Sequence, residues 1–222
     1  MSSFLLKIIA IITMFIDHVG YVIFGNFSFF NYIGRLSFTI FAFQICQGYT
    51  HTKNLKKYFL RLFLFAIISQ IPFMLFRKLI ANTFYLNIFF TLILGLLCIF
   101  IYDKSKYKIL GIIVSIFIAT IAQIIHCDYG FYGVAIILIF YIFKNNIINA
   151  TIFFSIATLI RYLIPIVKYG FYYEYFYLLM STIFSMILIT LYNGKKGKNA
   201  KYLLYAFYPV HLLLIYGISL IK

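Results

Sequence analysis

Residues 5–24 read LLKIIAIITMFIDHVGYVIF. The run is apolar over about twenty residues, the length that crosses a bilayer as a helix. Asp17 and His18 nevertheless sit side by side in its second half. Ionisable groups at such depth are costly in hydrocarbon, and they mark a bundle interior or a site of function. The run is too long for a signal-peptide core and no small-residue cleavage site follows it, so it is expected to stay as a spanning helix.

The rest of the chain repeats the pattern. Of 222 residues, 65% are hydrophobic and four are acidic, too few polar groups to cover a water-soluble surface. An all-α integral membrane protein is expected. The formal charge of +15 sits in short clusters between apolar runs, which argues against nucleic acid and for membrane topology. Cys46, Cys98 and Cys127 are an odd number without metal-type spacing, and no disulfide or zinc site is expected.

Apolar runs at 5–24, 29–49, 58–76, 87–102, 109–125, 131–143, 147–167, 173–192 and 203–221 predict a polytopic bundle of about nine spans. The sixth is the shortest and is expected to tilt or to cross only in part. A cytoplasmic amino terminus puts about thirteen Lys and Arg residues inside, including the run 195–201, and about four outside. The expected location is the cytoplasmic (inner) membrane, multi-pass. No repeat, low-complexity linker or Pro-rich boundary divides residues 1–222, so one domain is expected.

This orientation sorts the polar residues into two groups. Asp17, His18, Arg35, His126, Asp128 and Arg161 fall toward the external half; Lys7, His51, Lys53, Lys57 and Arg61 lie at the cytoplasmic end. Adjacent side chains on a helix diverge by about 100°, so Asp17 and His18 cannot easily pair with each other. Arg35, at similar depth in the returning helix, is expected to neutralise Asp17 and leave His18 facing a cavity as general base. The alternative is that Asp17 and Arg35 only staple two helices together. Lys57 and Arg61, four apart in HTKNLKKYFLR, share a helix face and suit an anionic phosphate, or serve topology alone. Asp128 in HCDYGFYG can accept a hydrogen bond from an amine or hydroxyl, or cap the sixth helix. His211 in YPVHLLL follows Pro209, which frees a backbone carbonyl, and is either a bundle residue or part of the site. Asn87, Gln44 and Gln47 are amides of the kind that join helices, and Asn87 also counts among the acceptor-facing residues with Arg35, Asp128, Arg161 and His211.

In order along the chain, LLKIIAIITMFIDHVGY, YIGRLSFTIFAFQICQGYTHTKNLKKYFLRLFLFAIISQIPF, NIFFTLILG, DYGFYGV and FYPVHLLL closely resemble the TraX family. That family is named for a conjugation protein that acetylates the amino terminus of pilin. In outline it is similar to membrane acyltransferases that O-acetylate bacterial polysaccharides. Those enzymes carry a basic residue eleven positions before a His in the first helix, matched here by Lys7 and His18. They also have a basic pair spaced by four near the third helix, matched by Lys57 and Arg61 with Lys in place of the first Arg.

The resemblance implies an acetyl-CoA-dependent N- or O-acetyltransferase. The coenzyme phosphates would be held at the cytoplasmic side by Lys57, Arg61 and Lys53, with Lys7 and His51 alongside. His18 would act on an extracytoplasmic acceptor, which could be a protein amino terminus, a glycan or a small molecule, with Asp17 and Arg35 fixing its position and tautomer. Membrane lipid and acyl-CoA are the other expected partners. Two competing classes fit the same residues: a proton-coupled transporter with Asp17, His18, Arg35 and Arg161 as a relay, and a noncatalytic assembly factor. The acetyltransferase reading requires a passage from the basic end of the bundle to His18.

Overall fold

Each apolar run folds as one helix. The computed structural model describes residues 1–24, 28–81, 83–198 and 201–221, and among these the secondary structure is nine α-helices. They are α1 (Ser3–Phe24), α2 (Phe29–His51), α3 (Leu55–Lys78), α4 (Ile88–Lys104), α5 (Lys108–Ile124), α6 (Gly130–Ile142), α7 (Ile147–Tyr169), α8 (Tyr173–Thr190) and α9 (Lys201–Ser219). Of the basic run 195–201, positions 199 and 200 and the side chain of Lys201 lie outside the described residues.

Helix ends follow local chemistry. α3 begins three residues before the predicted 58, because Asn54 caps it by accepting from the Lys57 amide at 2.9 Å. Asn87 and Asn146 cap α4 and α7 in the same way.

Helix α2 is the hub: α1, α4, α6 and α8 pack against it, while α9 bridges α1 and α3, and α5 and α7 stand at the edges. The interior is mostly apolar but also takes in polar groups, and the outer faces are apolar as well. Interior positions hold Thr13, Asp17, Asn31, Gln44, Asn87 and His211, whereas Ile67, Ile68 and Ile71 of α3 and Ile113, Ile116 and Phe117 of α5 are exposed. Outward faces that apolar suit hydrocarbon and not water.

Among the described residues four helices, α1, α3, α7 and α8, are long and apolar enough to cross a membrane, so the chain is a multi-pass membrane protein. The expected nine spans are not all met by length. α4 and α5 have 17 residues each and α6 has 13, which at about 1.5 Å per residue falls short of a hydrocarbon core about 30 Å thick.

At one end of the bundle the chain's beginning meets the α8–α9 connection. The first amides of α1 have no partner within the helix. Ser3 and Phe4 donate theirs to the Lys195 and Lys196 carbonyls at 2.8 and 3.0 Å, and the Asn193 amide donates to the Met1 carbonyl at 2.9 Å. Gly197 lies here with φ +71°, where a Cβ would meet Ser2 Oγ at 2.7 Å. This strap carries Lys196 and Lys198 to the mouth of a cavity at that end.

Candidate active site

His18 on α1 meets His211 on α9, its Nδ1 lying 2.7 Å from His211 Nε2 with the rings nearly parallel. The other His211 nitrogen, Nδ1, lies 2.7 Å from the Phe207 carbonyl one turn earlier. A carbonyl only accepts, so His211 Nδ1 carries the hydrogen and, in the neutral ring, Nε2 is an acceptor. His18 Nδ1–H then donates to it, which leaves the lone pair on His18 Nε2. Nε2 has no hydrogen-bond partner among the described residues, and the His18 ring lines a cavity. Phe76 packs on His18, and Phe207 and Tyr208 pack on His211, which is only 1% exposed. The carbonyl that Pro209 deprives of an amide donor is that of Tyr205, four residues earlier, so the acceptor in this relay is a different one.

Asp17 turns the other way, toward α2. Arg35 Nη2 donates to its Oδ1 and Oδ2 at 3.1 and 3.3 Å and to Tyr21 Oη at 3.2 Å. Asn31 Nδ2 donates to Asp17 Oδ1 at 3.0 Å, while Asn31 Oδ1 accepts from the Ser28 amide and hydroxyl at the start of α2. Gly34 makes the approach possible, because a Cβ there would lie 2.3 Å from the Asp17 carboxyl.

The cavity beside His18 has a volume of about 270 Å³ and mixed charge: Asp17, Arg35, Asp128, Arg161 and Arg77 line it with Tyr21 and Tyr129. Asp128 is delivered by a tightly held turn. The Leu86 amide donates to the His126 carbonyl at 3.0 Å, the Asp128 amide to the Leu86 carbonyl at 2.9 Å, and Thr91 Oγ1 to the Asp128 carbonyl. His126 and Tyr129 take positive φ of 54° and 63°, a conformation that side chains other than glycine adopt at a cost. Burial raises the Asp128 carboxyl above the usual carboxylate range, and Arg77, Arg35 and Arg161 pull it back. Its carboxylate makes no hydrogen bond or ion pair among the described residues.

A second cavity, of about 390 Å³, opens at the strap end of the bundle. Lys7, His51, Arg61, Lys196 and Lys198 line it with no acidic side chain. Arg61 lies over the rings of Tyr58 and Tyr205, and among the described residues its buried Nε has no partner, nor has Nε2 of Gln44 in the same wall. Unsatisfied buried donors of this kind suit an incoming acceptor-rich group such as phosphate. The two cavities stand back to back and share Met14, Phe41, Ile88 and Tyr208 in their walls.

A model of the TraX protein family matches residues 2–219. The chain belongs to the TraX family. It is similar to the "Probable fimbrial assembly protein FimC, serogroup H1" of Dichelobacter nodosus, 30% identical over 240 residues that cover 96% of this chain and 94% of that protein. No solved structure matches it.

Placing the sequence-derived residues in this TraX protein separates them into groups. Asp17, His18, Arg35, Asp128 and Arg161 come together around one cavity, and Lys7, His51 and Arg61 around the other. Lys53, in the connection before α3, and Lys57, in its first turn, are exposed and line neither, while Arg61, a turn further in, faces the cavity. Asn87 is fully buried and lines neither. Its amide donates to the Ala66 carbonyl at 2.7 Å and to Gln70 at 2.8 Å, and its oxygen accepts from the Phe89 amide, so its hydrogen-bonding capacity is spent between helices.

His211 lies behind His18 and not in the cavity wall, so it is placed to orient the His18 ring and not to touch the cavity's contents. The partner that fixes His18 is therefore His211, and not the Asp17–Arg35 pair. Arg77, Lys196 and Lys198 were not singled out by motif. The available signal was position: Arg77 ends an apolar run, as Arg35 and Arg161 interrupt theirs, and the two lysines follow Gly194 in a short polar loop. The basic cavity and the cavity beside His18 meet at this shared wall, where the enzymatic reading requires its passage.

Proposed function

We propose that this TraX protein is an integral-membrane acetyltransferase that takes an acetyl group from acetyl-CoA in the basic cavity and gives it to an amine or hydroxyl in the mixed-charge cavity. In this reading the amino terminus and the basic cavity face the cytoplasm of the inner membrane, and the mixed-charge cavity faces the far side. The observation that carries it is the relay from His18 through His211 to the Phe207 carbonyl, which fixes a basic nitrogen in the wall of a charged cavity.

Arg61, Lys7, Lys196 and Lys198 would hold the coenzyme phosphates, with His51 at the mouth. The thioester would lie against Met14 and Tyr208 in the shared wall, where the two reactants would meet. As the acceptor nitrogen or oxygen attacks the thioester carbon, His18 Nε2 takes its proton, the carbon–sulfur bond breaks, and the proton leaves with the coenzyme thiol. His211 Nε2, accepting from His18 Nδ1–H, steadies the charged ring that forms in between. Shielding from water and orientation across the wall would supply much of the remaining rate.

A second reading has its own support, because the relative in Dichelobacter nodosus is named as a fimbrial assembly protein. A noncatalytic assembly role would use the same basic face to hold a partner. Purified protein in nanodiscs, supplied with labelled acetyl-CoA and a panel of amines and alcohols, separates the two. Transfer that is lost in His18→Ala supports the enzyme; no His18-dependent transfer or hydrolysis assigns the protein to assembly.

A further inference from the structure

The charges around the mixed-charge cavity do not cancel where they stand. Arg35 is neutralised by Asp17 at 3.1 Å, but Asp128 forms no ion pair with the arginines that share its cavity. Arg161 makes no hydrogen bond among the described residues, although a guanidinium carries five N–H donors and keeps its proton. Among the described residues Arg77 donates once, to Thr83 Oγ1 at 2.5 Å, and its buried Nε has no partner.

Arg161 is also held in place. Its guanidinium lies 4.5 Å from the ring centre of Tyr132 and 5.2 Å from that of Tyr129. Tyr132 is tied to Thr158 by a 2.9 Å hydrogen bond, and Tyr129 stacks on Phe38 with ring centres 3.8 Å apart. Two fixed rings thus orient the planar cation while its edge donors stay unmatched. An arginine that merely marked the membrane boundary would reach toward headgroups and water, whereas this one is stacked inside the bundle.

From this we infer that the acceptor carries an anionic group, carboxylate or phosphate, which Arg161 binds with help from Arg77, close to the amine or hydroxyl that Asp128 and His18 address. The inference rests on the acetyltransferase reading for its chemistry and on the arginines for its substrate class. A cavity of about 270 Å³ is below the range of pockets that enclose a drug-sized ligand, so it takes the reacting end of an acceptor.

The test is a binding titration that needs no turnover. Protein carrying His18→Ala in nanodiscs is titrated with ethanolamine, O-phosphoethanolamine and β-alanine, followed by thermal unfolding. The expected result is that at least one anionic amine binds tenfold or more tighter than ethanolamine and that Arg161→Gln abolishes the difference. Arg161→Lys, which keeps the charge but not the fork, should retain part of it and serves if the Gln variant does not fold. The phosphate and carboxylate arms say which anion is preferred. Equal binding of the three amines, no binding of any, or a preference that survives loss of the guanidinium overturns the inference. Selective binding together with no acetyl transfer by the unsubstituted protein would instead remove the acetyltransferase reading and leave the anion site standing.

Discussion

His18 and His211 are 193 positions apart in the chain, yet their ring nitrogens approach to 2.7 Å between α1 and α9. This contact makes His211 a positioning residue, and its loss should differ from loss of the base. Removing His18 should lower kcat for acetyl transfer by roughly 10²- to 10⁴-fold. Removing one neutral hydrogen bond, as in His211→Ala, should lower it about tenfold. The KM for acetyl-CoA should stay unchanged in both, and His211→Gln, whose amide oxygen can accept from His18, should recover part of the loss. Steady-state kinetics on the three variants check this; a raised KM without a fall in kcat would remove His211 from the relay.

Asp17 and Arg35 should behave as one unit. Their side chains are 11% and 14% exposed, so Asp17→Ala leaves a buried guanidinium without its counter-charge, at a cost of about 3–5 kcal/mol. The double change Asp17→Ala with Arg35→Ala should cost clearly less than the sum of the two single changes. Thermal unfolding in one detergent across the four proteins measures the coupling, and strict additivity would contradict the pairing.

Two glycines on different helices should respond in opposite directions. Gly34→Ala drives a methyl into the Asp17 carboxyl and should destabilise by about 1–3 kcal/mol. Gly217→Ala in α9 meets open space and should stabilise by about 0.5–1 kcal/mol. Melting temperatures of the pair provide the comparison.

The basic cavity divides the cationic residues by function. Arg61→Ala, and Lys196→Ala with Lys198→Ala, should each raise the KM for acetyl-CoA about tenfold or more, the scale of one charge-assisted hydrogen bond. Lys57→Ala should leave it within about twofold, since the scale of an exposed charge is well under 1 kcal/mol. An equal effect of Lys57 and Arg61 would return the cluster to the arrangement that their spacing of four suggests.

These expectations differ from a reading of the sequence in an instructive way. The apolar runs located nine helices to within a few residues, because hydrophobic length and Asn caps act locally. The Asp17–Arg35 contact was also legible, since both lie at similar depth on consecutive helices. The His18–His211 contact was not, because it depends on the rotation of the first helix against the last, which no local pattern encodes. Lys57 and Arg61 looked equivalent by spacing, yet one turn of α3 separates solvent from cavity. Asn87 read both as a helix-joining amide and as an acceptor-facing one; it is the former, and its partners, Gln70 and Ala66, become neighbours only when α3 and α4 pack.

The wall formed by Met14, Phe41, Ile88 and Tyr208 bears on the membrane's electrical integrity. A protein that admitted water from both faces at once would conduct protons and discharge the gradient across its bilayer. Here the two cavities meet at a shared layer of large side chains, of which only the Tyr208 hydroxyl is polar. In the proposed acetyltransferase, donor and acceptor would reach that layer from opposite sides, and these side chains would be what separates the two compartments.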